Sequence, residues 1–198
     1  MPSLNKMIFA IPLTEEPTPE STPSLEQLDI QKTSRLLKFQ IAGEDQSGKS
    51  SLVLRYGDKF YNYSKNNNGS LDTGSVNRTL LINGVSINTE VQDYTHAGGR
   101  IVKADYQNVH AIILTLDLTD PGALKKLRTW KQGLAGYQKD IILVGTKCDD
   151  IKNRCFTKEE LTTSLEDFDF PLYIEASAKT GENVIRVFEE AAKRALHN

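Results

Sequence analysis

The chain has 198 residues, of which 38% are hydrophobic and 25% charged, with a formal net charge of -2 at pH 7. That length suits one well-buried domain with a tail, and that balance excludes both a polyanion-binding basic surface and a low-complexity chain, so no nucleic acid is expected as a partner. The two cysteines, Cys148 and Cys155, are too few for a disulfide framework and make no zinc-type spacing with the three histidines, which points to a reducing, cytoplasmic setting.

Residues 1–33 hold five of the seven prolines and the run TEEPTPESTPS. Such a composition buries too little apolar surface to offset the entropy of ordering, so a disordered N-terminal arm is expected, followed by one domain over 34–198. Within the arm, KMIFAIPL is a candidate docking segment. It contains Pro12 and is too short for a signal-peptide core or a membrane span.

From Leu36 short apolar runs alternate with helical periods, the signature of a parallel sheet with crossover helices on both faces. LLKFQIAG, HAIILTLDL, DIILVGTK and LYIEASA read as buried strands. RTLLI and VSINTEVQ flank Asn83-Gly84, the favoured type I′ turn, and form a hairpin. In its second strand Val85, Ile87, Thr89 and Val91 face one way, so that strand is half exposed. A helix opens just after Pro121, with Leu124, Leu127, Trp130 or Lys131, and Leu134 as its core stripe. Thr157 and Glu160 have capping-box spacing, and Val184, Val187, Phe188, Ala191, Ala192 and Ala195 line a closing helix.

The segment GEDQSGKS, Gly43 to Ser50, matches G-x-x-x-x-G-K-[ST] between a strand and a helix, the context that motif requires. The backbone N–H groups of Asp45, Gln46, Ser47 and Gly48 can turn onto phosphate oxygens, with Ser51 just inside the helix N-terminus. Lys49 would neutralise the β- and γ-phosphates and Ser50 would supply an oxygen to Mg²⁺. This much indicates a nucleoside triphosphate, without choosing the base.

Thr146-Lys147-Cys148-Asp149 follows a buried strand, at the carboxyl end where doubly wound sheets bind ligands. A carboxylate at Asp149 can accept from guanine N1 and N2, a donor pair that adenine lacks. Ser177-Ala178-Lys179 ends the last strand, where a backbone N–H can meet guanine O6 while the aliphatic stem of Lys147 covers the ring. With GEDQSGKSSLVLRY, NVHAIILTLDLTDP, IILVGTKCDD and EASAKTGENVIRVFEEAAK in family order, the chain resembles the Ras-superfamily small GTPases, nearest the Rab branch, from about Leu36 to Leu196. Thr146 stands where the family more often has asparagine; the Rho branch has the same T-K-x-D.

The resemblance implies an α/β, P-loop NTPase (Ras-like) three-layer fold, with a mostly parallel six-stranded sheet, one antiparallel edge hairpin and about five helices. It implies a monomeric guanine-nucleotide switch that binds GTP or GDP with Mg²⁺ and meets protein effectors through switch I, switch II and the 79–92 hairpin. It also implies Tyr61 as an aromatic beside the base. For the switch I metal ligand, ungapped counting back from Asn83-Gly84 gives Ser70, and a small gap gives Thr73. Asp93 occupies the switch II position that holds Mg²⁺ through water, and Gly98 the position that meets the γ-phosphate.

Switch II departs from the family. The segment QDYTHAGGR has no glutamine after the aspartate, and Ala97 or Gly99 falls at the water-positioning site. His96 is the nearest candidate substitute, and Arg100 a candidate source of positive charge in cis. Asp45 stands where active members carry a small residue, and its carboxylate repels the γ-phosphate. Unaided family members hydrolyse GTP at about 10⁻⁴ s⁻¹, and roughly 10⁵ comes from a partner acting with the glutamine. Slow hydrolysis is the expectation, and a GTP-bound scaffold that does not cycle is the alternative. A P-loop kinase or ATPase is disfavoured by Asp149 and the Ser177–Lys179 loop. The closing AAKRALHN has no cysteine in its last four residues and no polybasic run, so no membrane anchor is expected and any membrane association would come through a partner.

Overall fold

A computed structural model describes residues 35–58, 74–93, 108–137, 140–168 and 170–197. The expected arm over 1–33 and the KMIFAIPL segment lie outside these residues.

The elements in chain order are β1 (Leu36–Gly43), α1 (Lys49–Tyr56), β2 (Ser75–Ile82), β3 (Val85–Gln92), β4 (Ala111–Asp117), α2 (Ala123–Gly133), β5 (Asp140–Thr146), α3 (Lys158–Glu166), β6 (Leu172–Ala176) and α4 (Val184–His197). They build one six-stranded sheet in the order β2-β3-β1-β4-β5-β6, in which only β2 and β3 pair antiparallel. The expected sheet is present. Among the described residues there are four helices rather than about five, and 94–107 lie outside the description.

Strands buried on both faces explain the unbroken apolar runs in the sequence. Leu37, Phe39, Ile41, Ile113 and Val144 face α1 and α4, where Tyr56 stacks on Phe188 with ring centroids 3.7 Å apart. Ile112, Leu114 and Leu143 face the opposite way, toward Leu127, Trp130, Leu161 and Phe168. All six residues expected to line the closing helix are buried on α4. Thr157 caps α3 and Glu160 returns the bond, completing the capping box.

The hairpin turn has positive φ at both central residues, Asn83 at 50° and Gly84 at 77°. Of the four residues expected to share one face of β3, Ile87, Thr89 and Val91 are buried, whereas Val85 is 39% exposed. Val85 is the first residue of β3, directly after the Asn83-Gly84 turn.

The register sets up the site. Gly43 of β1 pairs with Thr115 of β4, Asp117 of β4 with Thr146 of β5, and Thr146 with Ala176 of β6. The carboxyl ends of four parallel strands therefore stop nearly level, and the loops that leave them share one edge.

Candidate functional site

The loop between β1 and α1 is wound by three positive φ values: 137° at Gly43, 64° at Gln46 and 88° at Gly48. At Gly43 a Cβ would lie 2.2 Å from the Thr115 hydroxyl, so glycine is required for closeness as well as conformation. The turn delivers the first N–H groups of α1, which have no acceptor within the helix, toward its open N-terminal end.

Lys49 opens α1 but folds back. It is 8% exposed, and its ammonium donates to the Gly43 carbonyl at 3.0 Å and to the Glu44 carbonyl. Burial pulls its pKa below the usual lysine range, while Asp93, Asp45 and Glu44 hold the charged form in place. The neighbouring carboxylates keep Lys49 charged despite its burial, and it is that desolvated cation which suits an anion carrying several charges. Ser50 follows on the first turn, half buried, and Asp93 at the end of β3 is 8% exposed.

Two side chains brace the loop from behind. The Ser47 hydroxyl lies 2.6 Å from the Thr115 hydroxyl, and Thr146 Oγ1 donates to the Ser47 carbonyl at 2.6 Å. The Thr146 hydroxyl is thus directed at the protein's own backbone. Lys147 has φ of 60° and ion-pairs with Asp117 at 2.5 Å, which stretches its stem along the cavity wall. Asp149 accepts from the Ser177 hydroxyl at 2.6 Å, and Lys179 Nζ lies 3.8 Å from its other oxygen. Ser177 is fully buried and also accepts from the Thr180 N–H at 3.0 Å, so the carboxylate is aimed by an immobile neighbour.

These elements enclose a cavity of about 340 Å³ lined by Gly48, Ser51, Leu52, Thr146, Lys147, Asp149, Asp150, Ala178 and Lys179. That volume is within the range of small-ligand sites. Asp45 and Ser47 line a narrower adjoining cleft with Asp117, Lys126 and Trp130. Among the expected site residues, the phosphate loop, the Thr146–Asp149 turn and the Ser177–Lys179 loop converge. Tyr61, Ser70, Thr73, His96, Gly98 and Arg100 lie outside the described residues. Sequence reasoning did not single out Thr115, Asp117, Glu44 or Trp130, whose parts depend on contacts across the sheet.

Among the described residues no group of three or more His, Cys, Asp or Glu side chains could hold a metal ion. The candidate metal ligands beside Lys49 are the Ser50 hydroxyl on the first turn of α1 and the buried Asp93 carboxylate, whose charge acts on Lys49. That set fits Mg²⁺, which keeps most of its water and takes its remaining oxygens from a bound phosphate rather than from a protein cage. Among the described residues no helix is long and apolar enough to cross a membrane.

Known proteins have similar sequences over these elements. The model of the Ras family matches residues 38–197. The Ras-related protein SEC4 of Candida albicans is 32% identical over 163 residues, covering 79% of this chain and 76% of that protein. RabG2 of Dictyostelium discoideum is 28% identical over 169 residues, with 82% and 84% covered. The GTP-binding protein YPT53 of Saccharomyces cerevisiae is 28% identical over 169 residues, with 80% and 76% covered. With a match of that extent over the sheet, the phosphate loop and both base-side loops, the chain belongs to the Ras family, as a Rab-like small GTPase that binds guanine nucleotide and works as a molecular switch.

Proposed function

We propose that this switch turns GTP over slowly and so remains in its triphosphate state for long periods. The cavity shared by Gly48 and Ser51, Thr146 to Asp149, and Ala178 and Lys179 is the observation that carries the binding half of this reading. Lys49 would neutralise the β- and γ-phosphates, Ser50 and Asp93 would hold Mg²⁺, Asp149 would accept from guanine N1 and N2, and the Ala178 N–H would meet O6. Mg²⁺, when bound, draws charge from the phosphate oxygens.

The slow half rests on what faces the phosphates. The sequence has no glutamine after Asp93, and the Asp45 side chain stands exposed at the phosphate loop. A missing water-positioning group and an added negative charge both raise the barrier to hydrolysis. His96 and Arg100 are the candidate substitutes. Effectors would meet switch I, switch II and the 79–92 hairpin, whose Leu81 is 69% exposed.

The test is to load the purified chain with GTP and Mg²⁺ and follow the bound nucleotide by chromatography over hours, with Asp149→Ala as the binding control. Retained GTP over that time is the expected result. Prompt conversion to GDP would refute slow turnover and direct attention to His96 and Arg100. GTP that persists even with family activating proteins added would favour the scaffold that never cycles.

A further inference from the structure

Glu44 is the hub of the phosphate loop. Its carbonyl oxygen accepts from the Ser47 N–H at 3.2 Å, from the Ser47 hydroxyl at 2.7 Å and from the Lys49 ammonium. Three donors compete for two lone pairs, and Lys49 is the one that an arriving phosphate would draw away. The Glu44 side chain is held separately: its Oε1 accepts from the Trp130 indole N–H at 2.9 Å, across 86 positions of sequence.

Trp130 sits on α2, 6% exposed, in the core layer with Leu127, Leu161 and Phe168. Packing accounts for the ring but leaves the direction of its N–H undetermined. A buried indole N–H takes a partner, and a carboxylate makes that bond a charge-assisted one. Glu44 and Trp130 also line one cleft with Asp45 and Ser47, so the bond spans the gap between α2 and the loop.

We propose that Trp130 is a positioning residue for the phosphate site: its N–H fixes Glu44, and Glu44 fixes the backbone that meets the phosphates. This rests on the nucleotide-binding reading above and extends it by making α2 part of the phosphate site. The coupling runs both ways, because a ligand that draws Lys49 off the Glu44 carbonyl alters the field at the indole. Trp130 is the chain's only tryptophan, so its emission reports occupancy of the phosphate loop without a label.

The test uses the full chain and radiolabelled GDP with Mg²⁺, measuring release from wild type, Trp130→Phe, Glu44→Ala, the double variant and Glu44→Gln, with tryptophan emission recorded as unlabelled GDP is added. Trp130→Phe and Glu44→Ala should each release GDP roughly three- to tenfold faster. The double variant should be no faster than the faster single one, as expected for two ends of one bond. Glu44→Gln, which keeps an acceptor, should release more slowly than Glu44→Ala. Emission should change with GDP in wild type and fail to change in Glu44→Ala.

A ring that only packs would lower the melting temperature without this pattern. Equal release from wild type and Trp130→Phe, or multiplying effects in the double variant, would overturn the proposal alone. Wild type that retains no GDP would overturn the nucleotide reading and the proposal together. Should Trp130→Phe fail to fold, the two Glu44 variants decide: equal release, with emission still responsive in Glu44→Ala, refutes the latch.

Discussion

The Thr146 hydroxyl donates to the Ser47 carbonyl oxygen at 2.6 Å, tying the end of β5 to the phosphate loop. Thr146 is 4% exposed and Ser47 2% exposed, so water cannot easily replace that donor. Thr146→Val keeps the shape and leaves the carbonyl unpaired, at a cost of about 1–3 kcal/mol. We expect a melting temperature lower by roughly 3–10 °C, with faster nucleotide release, whereas Thr146→Ser stays near wild type. Calorimetry of the three proteins checks this; equal melting of the valine variant would mean that the tether carries no energy.

Asp149 is aimed by a buried serine, and this should set base choice. Two bonds from guanine to a carboxylate are worth about 1.5–3 kcal/mol each, so Asp149→Ala should weaken GDP binding by roughly 10²–10⁴. Ser177→Ala leaves the carboxylate in place but removes the hydroxyl 2.6 Å from it, and a loss nearer tenfold is expected. Competition by ATP measures selectivity. If ATP displaced GDP from wild type as readily as GTP does, Asp149 would not be the base reader.

These residues were legible because each lies in a short local pattern. Gly43 to Ser50 and Thr146 to Asp149 carry their meaning within eight and four residues, and strands buried on both faces announce themselves as apolar runs. The Asn83-Gly84 turn and the Thr157–Glu160 box were equally local. Contacts at long sequence separation were hidden: Trp130 reads as one more apolar residue on a helical stripe, and nothing in its surroundings announces Glu44. Thr146 likewise reads as a base-side residue until the register sets it over Ser47. Composition cannot reveal such pairs, because only the fold brings positions 86 or 99 apart into contact.

Asp45 should tune the choice between GTP and GDP. A unit charge about 6 Å from another in a water-like medium costs about 0.7 kcal/mol, and the γ-phosphate adds more than one charge. Asp45→Asn is therefore expected to shift relative affinity toward GTP by roughly three- to tenfold, an effect that shrinks as salt is raised. Titration with both nucleotides at two salt concentrations checks it. A shift toward GDP, or one insensitive to salt, would argue against a charge effect.

Gln40 presents a different opportunity. It lies in the middle of β1, 1% exposed; its amide donates to the Ile41 carbonyl, but its Oε1 has no hydrogen-bond partner among the described residues. A buried acceptor without a donor costs about 1–3 kcal/mol, and leucine has nearly the same volume. Gln40→Leu should raise the melting temperature by roughly 3–10 °C with nucleotide affinity unchanged. A lower melting temperature would show that the amide is worth more to the fold than its unpaired oxygen costs.

Alkaline pH should expose the weak side of the core. Tyr56 is fully buried with its hydroxyl 2.6 Å from Thr89 Oγ1, and burial pushes its pKa up from 10.0 to about 12. Burial also pushes the Cys148 thiol up from 9.0 to about 11, reinforced by the charges of Glu182, Glu175 and Asp149. Both groups bind their protons more tightly folded than unfolded. Their stabilising contribution is therefore complete below pH 9 and is lost as pH rises to about 12. Chemical denaturation at pH 8, 9, 10 and 11 should show level stability and then decline. Tyr56→Phe should lower stability at pH 8 by about 1 kcal/mol, the value of one hydrogen bond, and flatten the decline above pH 10. If the decline kept its slope in that variant, Tyr56 would not be its source, and Cys148→Ala would be the variant to examine for the part that begins at pH 9.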